Sequence, residues 1–196
     1  MVRLVRPRLF AWYRLLPLLI VAIFGVVSFL FSFAPAPLLR LVYPLSYESQ
    51  ILESCSSRSL DPYLVAAVIK TESGWDASAT SDSGARGLMQ LMPETSEDMV
   101  KLGLVSSSYD PENLEDPATN IEFGCAYLAY LISYFNGSTD KAIAAYNAGM
   151  GYVEQWTQSG DTSLEDAITF PETQAYLARV TNARERYESL YPQAFN

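Results

Sequence analysis

The sequence of 196 residues predicts an all-α domain preceded by one apolar segment. Two aspartate-proline pairs, Asp61-Pro62 and Asp116-Pro117, are typical of helix starts, because aspartate caps free amide groups and proline fits the first helical position. Pro93 and Pro171 predict two further starts. The alternating apolar and polar runs that indicate strands are lacking, and the sequence contains no internal repeat.

The first element is the apolar segment, residues 15–34. It contains no charged residue, and its length matches the run of about 20 apolar residues that a membrane-spanning helix needs. The preceding residues, 1–14, form a basic tail without an acidic residue, and its arginines are Arg3, Arg6, Arg8 and Arg14. Because such positive charge stays on the cytoplasmic side, we expect a single-pass membrane protein whose remaining chain lies outside the cytoplasm.

A cleaved signal peptide is the alternative for this segment, and it would give a secreted protein. Ala34 and Ala36 offer a small-residue cleavage pattern. Pro37 would follow the cut directly, however, and the apolar run exceeds the core of about 7 to 15 residues that signal peptides use. We therefore prefer an uncleaved anchor, followed by a short, stiff, proline-containing linker over residues 35–46 and a domain over residues 47–192.

The charge of the chain changes at this boundary. Residues 1–40 contain five arginines and no acidic residue, whereas residues 41–196 contain eight basic and 22 acidic residues, a formal net charge of −14. An acidic surface repels nucleic acid, whose phosphates need basic patches, and it does not attract an anionic polymer over long range. Binding must therefore depend on local contacts, and no nucleic-acid partner is expected.

Two residue types limit the chemistry. The cysteines are Cys55 and Cys125 only; they could pair in an oxidising compartment, or they could be two separate small core residues. Histidine is absent, which excludes Ser-His and Cys-His nucleophile pairs and histidine-containing zinc sites. For acid/base catalysis near neutral pH there remains mainly a carboxyl group with a raised pKa.

The helix that begins at Pro62 and runs to about Ser73 carries a candidate for that carboxyl group. Leu64, Val68 and Glu72 follow one another at intervals of four residues and so share a face. Burial and the partial negative charge at the carboxyl end of a helix should both raise the pKa of Glu72. The alternative is a solvated glutamate at a fraying helix end, and the spacing alone does not distinguish the two.

Two further stretches carry groups that could meet a ligand. After Glu72, a polar loop leads to Gly84-Ala85-Arg86-Gly87-Leu88-Met89-Gln90, where small residues would let the backbone approach a bulky ligand. Trp75 in this loop offers a flat apolar face, or it packs in the core. Downstream, Tyr146 and Asn147 precede Gly149 at a helix end, where they face a cleft or simply pack and cap the helix.

These segments together resemble the soluble lytic transglycosylase family, whose catalytic domain has a lysozyme-like fold. Five motifs stand in the order of that family, and they cover nearly all of residues 48–190. They are Glu72-Ser73, then Gly87-Leu88-Met89-Gln90, then Asn120-Ile121 with Gly124 and Tyr127-Leu128, then Ala145-Tyr146-Asn147-Ala148-Gly149, and finally Glu172-Thr173 with Tyr176. The resemblance does not extend to the apolar segment, which is interpreted separately.

The resemblance implies a peptidoglycan lytic transglycosylase. Glu72 would protonate the oxygen that links N-acetylmuramic acid to N-acetylglucosamine and then, as a carboxylate, take a proton from the muramoyl C6 hydroxyl, which gives a 1,6-anhydro end. Because water is not the nucleophile, a second carboxylate is not required. By the same resemblance, the residues that position the glycan strand are Ser81, Met89, Gln90, Tyr146, Asn147, Glu172 and Tyr176.

Two residues depart from this pattern or add to it. Asp82 could orient a water molecule and make the enzyme a hydrolytic muramidase, although a solvated loop aspartate is the simpler interpretation. Met150 stands where many family members have proline, and we expect activity to survive this change. A catalytically idle peptidoglycan-binding or scaffold domain is the third alternative. No motif for a nucleotide, a metal or an organic cofactor is present, so we expect none.

Overall fold

A computed structural model describes residues 15–32, 36–158 and 163–195, with the side chains of residues 30–32 left out. These residues form ten helices and no strand; two isolated β-bridges join Thr80 to Arg86 and Arg86 to Leu91. The helices are α1 (Leu16–Ser32), α2 (Ala36–Val42), α3 (Glu48–Ser56), α4 (Pro62–Glu72), α5 (Pro93–Lys101), α6 (Pro117–Tyr134), α7 (Thr139–Ala148), α8 (Met150–Thr157), α9 (Leu164–Ala167) and α10 (Pro171–Leu190). The prediction of an all-α domain is confirmed.

The chain divides into two compact units, Met1–Val42 and Tyr43–Asn196. In the first unit, α1 has 17 residues and is about 25 Å long. Among the described residues, no helix is both long enough and apolar enough to cross a membrane. The predicted basic tail, residues 1–14, and the last predicted residues of the span, 33 and 34, lie outside the described residues. Helix α2 occupies most of the predicted linker.

The second unit is organised around α4, which packs most extensively against α10. The four predicted helix starts are those of α4, α5, α6 and α10. Asp61 accepts a hydrogen bond from the amide of Tyr63 (2.9 Å), and Asp116 accepts one from the amide of Thr119 (2.8 Å). These caps satisfy amide groups that a helix leaves free at its amino end.

Helix α4 is buried on all sides rather than along one stripe. Every residue from 64 to 69 is at most 2% exposed. A helix that is apolar all round is typical of a core element. Because α4 is enclosed over this length, its carboxyl end is held in place by the whole domain.

The start of the second unit is bound to the end of α10 by a cluster of aromatic residues. The Tyr187 hydroxyl donates to the carbonyl of Pro44 (2.9 Å), and the Tyr191 hydroxyl donates to the carbonyl of Tyr43 (2.8 Å). The indole N–H of Trp75 donates to the Tyr187 hydroxyl (2.8 Å), and its ring stacks on Tyr47. Trp75 therefore packs within the fold, and residues 43–47 are part of the unit that holds it.

Candidate active site

Glu72 is the last residue of α4, directly after the buried stretch of that helix. Its Oε1 atom accepts a hydrogen bond of 2.6 Å from the hydroxyl of Tyr176 in the second turn of α10. Tyr176 is 2% exposed, so its hydroxyl has little freedom to turn away. The packing of α4 on α10 thus fixes the orientation of the carboxyl group.

Burial raises the pKa of Glu72 from 4.5 to about 7. Two smaller effects oppose it, the hydrogen bond from Tyr176 and the positive charge of Arg179. Both of them favour the carboxylate, whereas removal from water favours the neutral acid. Because the burial effect is the largest, the group exchanges its proton near neutral pH, as a general acid that later becomes a base must do.

The loop after α4 returns to the end of that helix through a largely buried stretch, residues 86–91. The Ser73 hydroxyl donates to the carbonyl of Leu88 (2.8 Å). Asn120 on α6 accepts from the amide of Met89 (2.7 Å) and donates to the carbonyls of Arg86 (2.9 Å) and Leu114 (2.8 Å). Since Asn120 is 1% exposed, these bonds are shielded from water and fix the loop backbone.

Gly87 and Gly124 allow this close packing. A Cβ atom on Gly87 would lie 2.2 Å from the carbonyl oxygen of Leu114 and 2.3 Å from Nδ2 of Asn120, and its φ of +75° lies in the left-handed region. A Cβ atom on Gly124 would lie 2.1 Å from the Met89 sulfur. Gly87 therefore requires glycine for steric reasons, whereas a Cβ atom on Gly124 would displace the buried Met89 side chain.

Two of the predicted positioning residues hold the loop in place. The side chain of Met89 is fully buried against Gly124, while its carbonyl accepts a hydrogen bond of 2.9 Å from the Tyr146 hydroxyl. The side-chain amide of Gln90 donates to the carbonyls of Ala79 and Gly87, both at 3.0 Å. Met89 and Gln90 thus support the loop backbone of the site in this structure.

The other predicted residues of the loop lie closer to the solvent. Ser81 is partly buried, and its hydroxyl accepts from the amide of Ala85 (3.0 Å). Asp82 is exposed at the turn that follows. The carboxyl groups of Glu72 and Asp82 therefore lie in different environments. That of Glu72 is largely buried and hydrogen-bonded, whereas that of Asp82 is exposed.

Helix α7 and the start of α10 supply the remaining predicted residues. The Tyr146 ring packs on Tyr127 at 5.3 Å, and burial, followed by the nearby charge of Glu72, raises its pKa well above the usual value. Asn147 is exposed and accepts a hydrogen bond of 2.8 Å from the Thr173 hydroxyl. This bond joins the end of α7 to the first turn of α10, which also carries the exposed Glu172.

Arg179 was not among the residues predicted for the site. Its guanidinium lies 5.9 Å from the centre of the Tyr176 ring, and its charge favours the carboxylate of Glu72. Arg179 follows Tyr176 by three residues, so the two share a helix face. The spacing of Tyr176 and Arg179 is visible in the sequence, but it indicates a place for Arg179 in the site only because Tyr176 contacts Glu72.

The two cysteines are buried on α3 and α6, and both are free thiols here. Their side chains lie within hydrogen-bonding reach, and this contact together with burial raises the pKa of Cys125 well above the usual value. Disulfide formation between Cys55 and Cys125 stays a prediction, which intact mass measurement with and without reductant would test. Within the described residues, no group of three or more potential ligands is placed to hold a metal ion.

Comparison with known proteins assigns this arrangement to a family. Residues 50–168 match the transglycosylase SLT domain. The soluble lytic murein transglycosylase of Escherichia coli K12 is 33% identical over 143 residues, which are 70% of this chain and 22% of that protein. Membrane-bound lytic murein transglycosylase F of Pseudomonas fluorescens is 34% identical over 114 residues, 55% of this chain and 21% of that protein. The chain thus matches only about a fifth of each relative's length.

Solved structures show the same relationship. An inactive mutant of lytic transglycosylase Slt from Pseudomonas aeruginosa aligns over 77% of this chain and 25% of its own, with a TM-score of 0.70 and 33% identity. The 70 kDa soluble lytic transglycosylase of Escherichia coli aligns over 75% and 25%, with a TM-score of 0.71 and 32% identity; it has also been solved in complex with bulgecin A. The predicted lysozyme-like fold is confirmed, and the chain belongs to the transglycosylase SLT domain family.

Proposed function

We propose that this protein is a peptidoglycan lytic transglycosylase. It cleaves the β-1,4 bond between N-acetylmuramic acid and N-acetylglucosamine and leaves a 1,6-anhydromuramoyl end. One observation carries the proposal: the carboxyl group of Glu72 is enclosed at the end of a buried helix, bonded to Tyr176, and has a pKa of about 7. The lytic transglycosylases that the chain resembles supply the substrate class.

Glu72 performs both proton transfers in this proposal. With a pKa of about 7, a large fraction of the group is protonated at neutral pH, and it donates to the glycosidic oxygen as the bond breaks. The resulting carboxylate accepts the proton of the muramoyl C6 hydroxyl, whose oxygen closes the 1,6-anhydro ring. Tyr176 holds the carboxyl group in position through its hydroxyl, which lies 2.6 Å away.

The positioning roles follow from where the side chains lie. Asn147 at the end of α7 and Glu172 at the start of α10 are exposed and can contact the strand directly. Ser81 in the loop is partly buried and can also contact it. Met89, Gln90 and Tyr146 act indirectly, because they fix the backbone on which the strand rests. The residues proposed to position the substrate therefore form two groups: some contact the strand, and the others hold the backbone on which it rests.

The test is mass spectrometry of the fragments that the full chain releases from purified peptidoglycan, with Glu72→Gln run in parallel. We expect anhydromuramoyl ends from the parent protein and a rate lower by about 10² to 10⁴ for the variant, the usual share of a general acid. Release at the parental rate by Glu72→Gln would refute the assigned role. Reducing ends would indicate a muramidase, and no release by either protein would favour a binding domain.

The membrane anchor forms a second part of the proposal. Residues 15–34 carry no charge, follow a basic tail at residues 1–14, and would place the domain outside the cytoplasm. Residues 35–42 would then connect the anchor to a catalytic unit that begins at Tyr43. The full-length mass, recovered from washed membranes, is the expected result. A shorter protein in the culture medium, beginning near Pro37, would show signal cleavage instead.

A further inference from the structure

An aromatic depression lies on the surface beside the start of α10. Its walls come from α8, from the last residue of α9 and from the segment between α9 and α10, and its volume is about 350 Å³. Tyr152 is 48% exposed and Phe170 is 39% exposed, whereas Trp156 beneath them is 8% exposed. None of the residues that line the depression is charged: they are Tyr152, Gln155, Trp156, Ala167, Thr169 and Phe170.

The rings of this depression hold one another in place. Phe170 meets Tyr152 edge to face at 4.8 Å and Trp156 at 5.1 Å, and Tyr152 lies roughly parallel to Trp156 at 6.0 Å. The indole N–H of Trp156 donates to the Thr169 hydroxyl (2.9 Å). Because Trp156 is fixed from below, the two outer rings present a stable apolar surface to the solvent.

We propose that this depression binds a sugar ring of the glycan strand beyond the position that is cleaved. The inference rests on the proposed function, because it assumes that a glycan strand occupies the site at Glu72. Pyranose rings have an apolar C–H face that stacks on aromatic rings and polar edges that need hydrogen-bond partners. The depression offers both kinds of contact, since its lining includes the polar residues Gln155 and Thr169 beside the aromatic rings.

Charge and continuity favour a sugar over other ligands. The lining of the depression carries no charged group that could pair with a charged ligand, so it suits the uncharged rings of the strand. Phe170 directly precedes α10, six residues before Tyr176 and so about 9 Å from it along the helix axis. Thr173, three residues after Phe170, is bonded to Asn147. Because Phe170 stands two residues before Glu172 and Tyr152 five residues after Asn147, the depression follows the two exposed residues that are proposed to contact the strand.

The experiment measures binding without chemistry, in the full chain carrying Glu72→Gln. The probe is an N-acetylglucosamine hexamer, and Kd is measured by titration. We expect Tyr152→Ala and Phe170→Ala each to weaken binding by about tenfold, and Tyr152→Phe, which keeps the ring, to bind within about twofold of the parent. Tyr134→Ala is the matched control, because Tyr134 is 43% exposed but does not line the depression.

Three results would overturn the proposal. The first is an unchanged Kd for Tyr152→Ala, whose thermal midpoint confirms that it is folded. The second is an equal loss of binding in Tyr134→Ala, which would indicate a general surface effect. The third is displacement of the hexamer by a free stem peptide but not by shorter sugar oligomers, which would make the peptide the ligand. None of these depends on the product formed at Glu72, so this proposal and the proposed function can fail separately.

Discussion

The loop after α4 divides into a more exposed half, residues 76–85, and a more buried half, residues 86–91. The exposed half is held mainly by short-range hydrogen bonds, such as that from the amide of Ser78 to Asp76 (2.9 Å) and that from the amide of Ala85 to Ser81 (3.0 Å). The buried half is held from α6 through Asn120 and from the end of α4 through Ser73.

The difference shows how one loop can carry both fixed and free groups. In the buried half, removal from water makes each hydrogen bond strong and each missing partner costly. In the exposed half, water competes for the same groups, so a side chain such as Asp82 has no comparable constraint. The proposed acid/base role therefore fits the carboxyl group of Glu72, whose pKa is raised by burial, better than that of the exposed Asp82.

The largest expected effect comes from adding one methyl group to a glycine in each half. Gly87→Ala places a Cβ atom 2.2 Å from a backbone oxygen, whereas Gly84→Ala meets nothing within 4 Å; both glycines have a positive φ. We expect Gly87→Ala to lower the free energy of unfolding by about 4 kcal/mol and Gly84→Ala by about 1 kcal/mol, the backbone strain alone. Urea titration of the two variants checks this, and equal losses would contradict the division.

The raised pKa of Glu72 makes the stability of the fold depend on pH. The folded-state pKa of Glu72 is about 7, against 4.5 as the ordinary value, so the folded state binds the proton more tightly. Stability linked to this proton is fully present below pH 4.5 and is lost as the pH rises to about 7, a loss of at most about 3 kcal/mol. Glu72→Gln stays neutral and should lack this loss.

The measurement is the free energy of unfolding of the parent and of Glu72→Gln at pH 4 and pH 8. Relative to the parent, the free energy of unfolding of Glu72→Gln should increase by up to about 3 kcal/mol between pH 4 and pH 8. Asp82→Asn is the control, because it removes an exposed carboxylate from the loop that follows α4. A constant difference for Glu72→Gln as well would mean that Glu72 is not buried in solution.

Local signals in the sequence predicted much of the fold. The starts of α4, α5, α6 and α10 were predicted because proline and capping aspartate act on their own turn. Helices α8 and α9 were not predicted, since they are short and depend on packing. Residues 64–69 of α4 are buried on all faces, whereas the sequence predicted one buried stripe, because the other faces are covered by elements distant in sequence.

The candidate site was predicted through the resemblance, but its contacts were not. That Tyr176 bonds to Glu72 depends on the packing of α4 against α10, and no spacing in the sequence reports it. Met89 was expected to position substrate, yet its burial is determined by Gly124 on a different helix. The assignment of residues to the site thus stays a prediction from the resemblance, whereas their contacts depend on the fold.

A smaller effect is expected from removing the hydroxyl that contacts the acid. Tyr176→Phe deletes a hydrogen bond that lowers the pKa of Glu72, so the pKa should rise further, by about one unit. Because the protonated acid is the active form for the first step, the alkaline limb of the pH–rate profile should move up by the same amount. Tyr127→Phe, which removes a hydroxyl not bonded to Glu72, should leave the limb unchanged; a downward shift in Tyr176→Phe would contradict the assignment.

The smallest effect is expected at Asp82, and it tests the exposed half directly. Asp82 lies at the surface of the loop, and a surface substitution away from specific contacts changes free energies by about 0.5 kcal/mol or less. Asp82→Asn should therefore change the rate of anhydromuramoyl release by less than about twofold, which is the same energy expressed as a rate. If the variant instead lost most of its activity, Asp82 would take part in catalysis. The exposed half would then carry catalysis that its environment in the fold does not support.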